Sequence, residues 1–131
     1  MELKEIAGFT DYYVSEKGIV YTTKISPRYN KKGELRVLKP RIHPSGYLYY
    51  GFFVGTGKWR KRYWRRGHRL VWEAFMGKIT RSHQIDHINF DKHDNRLENL
   101  QCISAIDNVR RFHKALADGT YPNIDQLKRN N

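Results

Sequence analysis

One cysteine, Cys102, is all the thiol chemistry in the 131 residues. A lone thiol excludes an intrachain disulfide and any zinc site built on cysteine, and it fits a reducing, cytoplasmic setting. Long hydrophobic runs are missing too. None approaches the roughly 20 residues of a bilayer span, and Met1-Glu2-Leu3-Lys4-Glu5 lacks the charged and apolar regions of a secretory signal. No membrane partner is expected. There is no internal repeat and no low-complexity segment. Acids are scarce in one place: between Lys24 and Arg69 only Glu34 stands against fourteen lysines and arginines, while the rest of the chain holds twelve acids against eleven.

The formal net charge of +12 therefore comes from that one stretch, which carries +13 against −1 for the rest. Hydrophobic residues at 39% and aromatics at 14% are enough for a modest core, and the length fits one domain or one small domain with an appendage. A basic block on one side of a folded chain points to a polyanion, with nucleic acid ahead of an anionic membrane surface.

Phe9 to Thr23 reads as a small hairpin, with Tyr12-Tyr13-Val14 and Ile19-Val20-Tyr21 as arms and Glu16-Lys17-Gly18 as the turn. Leu35 to Leu38 is a candidate short strand stopped by Pro40 and then by Pro44-Ser45-Gly46. Tyr47 to Val54 and Trp59 to Arg66 form a clearer hairpin around Gly55-Thr56-Gly57. On its second arm, period-2 alternation places Arg60, Arg62, Trp64 and Arg66 on one face and Trp59, Lys61, Tyr63 and Arg65 on the other. Such a ribbon suits a DNA groove, with guanidinium groups on phosphates and rings on sugars or bases. The plainer alternative is a strand kept soluble by charge, its cations guarding a sheet edge.

His68 to Met76 has helical spacing of Leu70, Val71, Ala74 and Phe75, with Gly77 suited to the position past its end. His68 is expected to be a structural, hydrogen-bonded residue. Gln84 to Ile88 and Leu100 to Ser104 are short strands joined by a polar loop, Asn89 to Asn99. Ser104 with Asp107 makes a near capping box for a helix running to about Ala117 and ending at Gly119. At 100° per residue, Ala105, Ile106, Val109, Phe112, His113 and Leu116 share one arc with Asn108 at its edge, so Asn108 is expected to face the hairpin and His113 to be a core histidine.

Chemistry concentrates at Gln84-Ile85-Asp86-His87. Asp86 and Asn108 offer oxygen, which Mg²⁺ or Mn²⁺ prefers to a greater degree than zinc does. Two protein oxygens leave the rest of the shell to water and substrate phosphate, an arrangement suited to phosphodiester cleavage. His87 beside Asp86 is a candidate general base, with a reference pKa near 6.5. Asn99 can donate and accept at once, so it is expected to tie the loop's ends and hold His87 in orientation. Arg110 and Arg111 are placed to reach phosphates. Asn95, Arg96 and Glu98 read as loop residues.

Several linked motifs then resemble a known family: His68-Arg69-Leu70-Val71-Trp72-Glu73-Ala74-Phe75, Ile85-Asp86-His87-Ile88-Asn89, Asp94-Asn95-Arg96-Leu97-Glu98-Asn99-Leu100 and Asn108. In this order they are similar to the HNH nucleases of the phage and intron homing-endonuclease type. Gly8 to Ser15 with Gly18-Ile19-Val20 is similar to an N-terminal module found on such nucleases. The resemblance implies an α+β chain: a β-rich basic DNA-binding region at 1–67, a ββα-metal nuclease core at 68–118 and a tail at 119–131. It also implies His87 as general base, Asp86 and Asn108 as ligands of one divalent ion, and Asn99 as the loop brace. Asn rather than His at the last motif position favours Mg²⁺ or Mn²⁺.

The expected function is metal-dependent nicking or cutting of double-stranded DNA in a bacterial or phage-infected cell, by a monomer or weak homodimer. Arg60, Lys61, Arg62, Arg65, Arg66, Arg110 and Arg111 are the expected DNA contacts. Members often carry a helical DNA-binding module at the C-terminus, and the chain ends before one, so a short footprint is expected. The alternative is a DNA-binding protein on the same scaffold without catalysis.

Overall fold

The computed structural model describes residues 2–122. Most of the tail expected at 119–131 lies outside the described residues. Strands β1 (Leu3–Glu5), β2 (Tyr12–Ser15), β3 (Val20–Thr22) and β4 (Arg36–Val37) form an antiparallel sheet in that spatial order. Alternation drives the central pair: Tyr12, Val14, Val20 and Thr22 turn inward and are almost wholly buried. The expected turn closes at Gly18, whose φ of +84° suits a residue without Cβ.

A second sheet has the order β5 (Arg41–Ile42), β6 (Leu48–Val54) and β7 (Lys61–Arg66). One expectation needs correction here. Trp59 is not in the strand: Gly57–Trp59 is a single 3-10 turn, Arg60 closes it, and pairing begins at Val54 with Lys61. The strand before Pro40 does stop short of it, at Val37, and a further strand begins after it, where Arg41 and Ile42 pair with Tyr49 and Leu48. Proline lacks only its own N–H, and the residue after it is free to join an edge.

Helix α1 (Gly67–Phe75) follows β7 directly and buries Leu70 and Val71. Strands β8 (His83–His87) and β9 (Leu100–Ser104) make the third sheet, and α2 (Ala105–Asp118) follows without a linker. Ser104 caps α2 as its sequence suggests, its hydroxyl accepting from the Asp107 N–H at 3.1 Å, and Gly119 ends it at φ +71°. The chain is thus α+β, with a ββα unit at its C-terminal end.

One core joins these parts. Val14, Val20, Phe52 and Val71 are completely buried, and Ile85 and Leu100 from the third sheet belong to the same cluster. Complete burial of one such side chain contributes about 1.5–3 kcal/mol. The β8–β9 hairpin is therefore anchored through Ile85 and Leu100, which leaves the opposite strand face for polar groups.

The apolar arc of α2 behaves differently from expectation. Ala115 is its one buried residue among those described, while Ile106 is 65% exposed and Val109 56%. His113 is exposed and is not a core histidine. Periodicity gives the apolar side of a helix but not whether a neighbour covers it.

Candidate active site

Strand parity separates the two residues of the central pair. Ile85 and His87 point to the core side of β8 and are buried, whereas Asp86 points to the face that α2 crosses and stays partly accessible. Asn108 donates from Nδ2 to Gln84 Oε1 at 2.7 Å, and one turn further on Arg111 donates to Asp86 Oδ2 at 2.6 Å. Asn108 therefore reaches the hairpin, as its place on the arc suggests. Arg111 also donates to the carbonyls of His87 and Ile88, and its guanidinium lies 4.0 Å from the Phe90 ring centre. Between α2 and the hairpin lies an open cleft of about 350 Å³, lined by Tyr47, Asp86, His87, Asn108 and His113 among others.

The loop from Asn89 to Asn99 is tied as expected. Asn99 accepts from the Asn89 N–H at 3.1 Å and donates to Asn89 Oδ1 and the Asp94 carbonyl, both at 2.9 Å. It does not touch His87. The side chain that does is Asn95, whose Oδ1 lies 2.7 Å from His87 Nε2, and both residues are buried. Asn95 was read as a loop residue because a polar loop has no periodicity to show which amide turns inward. Arg96 stays in the loop, bridging Asp94 and Glu98, and its hydrogen bonds to Asp94 hold that carboxyl below its ordinary range.

Three rings crowd together behind the cleft. Tyr47 stacks on His68 at 4.9 Å, and His68 lies 5.0 Å from His87. Burial pushes His68 down to about 3, with the neighbouring His87, Arg66 and Arg69 acting in the same direction. His68 is buried as expected but not hydrogen-bonded at Nδ1, so packing on Tyr47 is what holds it. Burial also lowers His87, opposed by its bond to Asn95 and by Asp86 and Asp94. Both rings are therefore neutral at neutral pH, which for His87 is the form that can accept a proton.

Among the described residues, no group of three or more His, Cys, Asp or Glu could hold a metal. Any ion here must accept a carboxylate and an amide. Asp86 Oδ2 takes the bonds from Arg111 and Gln101, and Asn108 donates through its nitrogen, which leaves Oδ1 of each without a hydrogen bond to the described residues. Two hard oxygens on residues that line one cleft fit a hexacoordinate ion completed by water and phosphate.

The basic ribbon has two unlike faces. Phe52 pairs with Tyr63 and turns inward, stacking on Phe9 at 4.8 Å, and Arg65 lies over the same Phe9 ring. On the outer face Arg62 sits 4.3 Å from the centre of Trp64, Arg60 4.3 Å from that of Phe53, and Arg41 5.2 Å from Trp64. Gly51 makes this possible, because a Cβ there would run into the Arg62 and Trp64 side chains. Lys61 is exposed, and Arg66 lies over Tyr47 at the edge of the cleft. Arg110 is exposed and pairs with Asp107 at 3.7 Å.

Residues 65–110 match the model of a family described as HNH endonuclease. The chain is also similar to a solved structure of the HNH homing endonuclease I-HmuI that concerns DNA binding and cleavage, with 28% identity and a TM-score of 0.65. That match covers 96% of this chain and 64% of the other, so the chain spans less than two thirds of that nuclease's length. No curated protein matches.

Proposed function

We propose that residues 65–110, which match the HNH endonuclease family, form a nuclease domain of the homing type and that the chain is a divalent-metal-dependent DNA endonuclease. The observation that carries the reading is the cleft shared by Asp86, His87 and Asn108, three residues drawn from a strand and a helix. Bound at Asp86 and Asn108, Mg²⁺ or Mn²⁺ supplies Lewis-acid stabilisation of charge on the scissile phosphate and the departing oxygen.

His87 is the general base. It takes a proton from water as the water oxygen bonds to phosphorus, and the bond from phosphorus to the 3′ oxygen breaks. Its burial keeps the ring neutral and ready to accept. Asn99 keeps the loop closed beneath it. The outer face of β5, β6 and β7, with Arg60, Arg62 and Arg66, holds the phosphate backbone of double-stranded DNA, and the exposed Lys61, Arg65 and Arg110 add cations to the binding surface. We assign the basic strand region up to residue 67 to binding and the segment 68–118 to chemistry.

A supercoiled-plasmid nicking assay tests this. Wild-type protein with Mg²⁺ should nick or linearise the plasmid, and EDTA or His87→Ala should abolish cleavage while leaving DNA affinity nearly intact. Cleavage that survives both rules out the mechanism. Binding without cleavage under every metal tried would instead favour a DNA-binding protein that does no chemistry.

A further inference from the structure

Asn95 is the most deeply buried polar residue of the loop. Its side chain is 4% exposed, and its backbone and Cβ are so close to the β2–β3 turn that a Cβ on Gly18 would come within 2.8 Å of them. On the other side, a Cβ on Gly67 at the start of α1 would approach its Nδ2 to 2.7 Å. The next contact between the turn and the loop is the Leu97 N–H, which donates to the Glu16 carbonyl at 2.7 Å. Two glycines thus make room for one asparagine, and the N-terminal sheet fixes where it sits.

That asparagine presents an oxygen to His87. Oδ1 can only accept, so the 2.7 Å contact requires Nε2 of His87 to carry the proton. A neutral imidazole protonated on Nε2 has its lone pair on Nδ1. Nδ1 makes no hydrogen bond to the described residues and is not among the nitrogens sealed from solvent, while His87 itself lines the cleft.

Resting on the nuclease reading above, we propose that Asn95 is a positioning residue: it fixes the Nε2–H tautomer and the ring angle of His87, so that Nδ1 is the atom that receives the proton of the attacking water. The N-terminal sheet takes part in catalysis through this contact, as a wall behind Asn95.

The test reads the tautomer directly. In full-length protein labelled with ¹⁵N-histidine at pH 8, the His87 resonances, identified by their loss in His87→Ala, should show a protonated Nε2 and an unprotonated Nδ1. Asn95→Ala should give a tautomer mixture and lower kcat by roughly 10–100-fold, the range typical of groups that orient a reacting residue, with KM for DNA little changed. Asn95→Asp, which keeps an acceptor, should restore the Nε2–H form and most of kcat. A wild-type His87 protonated on Nδ1, or an Asn95→Ala protein with unchanged tautomer and kcat, overturns the proposal. If Asn95→Ala does not fold, the wild-type spectrum and Asn95→Asp still decide it. Wild-type protein that cleaves no DNA with any divalent ion sinks the nuclease reading instead, and leaves the tautomer measurement standing.

Discussion

Arg111 of α2 reaches across to β8 and donates to Asp86 Oδ2 at 2.6 Å, so the proposed metal ligand has a cation on one oxygen while the other makes no hydrogen bond to the described residues. The guanidinium orients the carboxylate but also neutralises part of the charge that would attract a divalent ion. Arg111→Gln should therefore bind Mn²⁺ more tightly, by about tenfold, the size of effect a neighbouring charge has on a carboxylate. Asp86→Ala should bind it far more weakly. Mn²⁺ titration followed by electron paramagnetic resonance checks both, and weaker binding in Arg111→Gln would show that orientation outweighs charge.

His68 makes the fold sensitive to acid. Its folded-state pKa of about 3 lies below the ordinary 6.5, so above pH 6.5 both folded and unfolded chains hold a neutral ring and stability is full. As pH falls below 6.5 the unfolded chain takes up a proton that the buried ring refuses. Stability is then lost by up to about 1.4 kcal/mol per pH unit until about pH 3. His87 is lowered by burial too and adds to the same loss. Urea midpoints at pH 7.5 and 5 should differ clearly, and His68→Phe, which keeps the packing on Tyr47, should narrow the gap. An unchanged gap would mean that other groups govern it.

Asn99 makes two hydrogen bonds to Asn89, which join the two ends of its loop, and a third to the Asp94 carbonyl in its middle. Asn99→Ala leaves partners unpaired at a buried position and should cost on the order of 3 kcal/mol. The Asn89 amide should lose its protection from hydrogen exchange, and cleavage should fall with it. Retained protection at Asn89 would mean that the turn between His87 and Phe90 holds the loop by itself.

If the outer face of the second sheet meets DNA, affinity should fall steeply with salt, because cations on phosphates release counterions. Arg62→Ala should weaken binding uniformly across sequences and reduce the slope of log K against log salt by about 1. Gly51→Val should do similar damage without removing any charge, since its side chain would displace Arg62 and Trp64. Fluorescence anisotropy from 50 to 300 mM salt measures both. A flat response would remove this face as the contact.

Much of the architecture was legible in the residues. Aromatic and β-branched runs around Gly55 and Gly57 give the long hairpin, and Ser104 and Gly119 mark α2 at both ends, because these features depend on local geometry. Adjacency of Asp86 and His87 also carries their separation, since neighbours on a strand must face opposite ways. The resemblance supplied the order of the motifs.

Other features had no local signal. Asn95 and Asn99 are both loop asparagines with similar surroundings in sequence, and only the position of Gly18 and Gly67 decides which one turns toward His87. Arg111 looked like a cation for phosphate, yet the crossing of α2 over β8 sets it on Asp86. His113 and the apolar side of α2 suggest burial from their spacing, but Ile106, Val109, His113 and Leu116 stay exposed. The sequence by itself determined the elements, their ends and the residue types available for chemistry, because backbone preference and side-chain periodicity act over a few residues. Which amide holds the imidazole, which cation holds the carboxylate and which helix face stays open were decided by tertiary structure, because each depends on segments far apart in the chain meeting at one place.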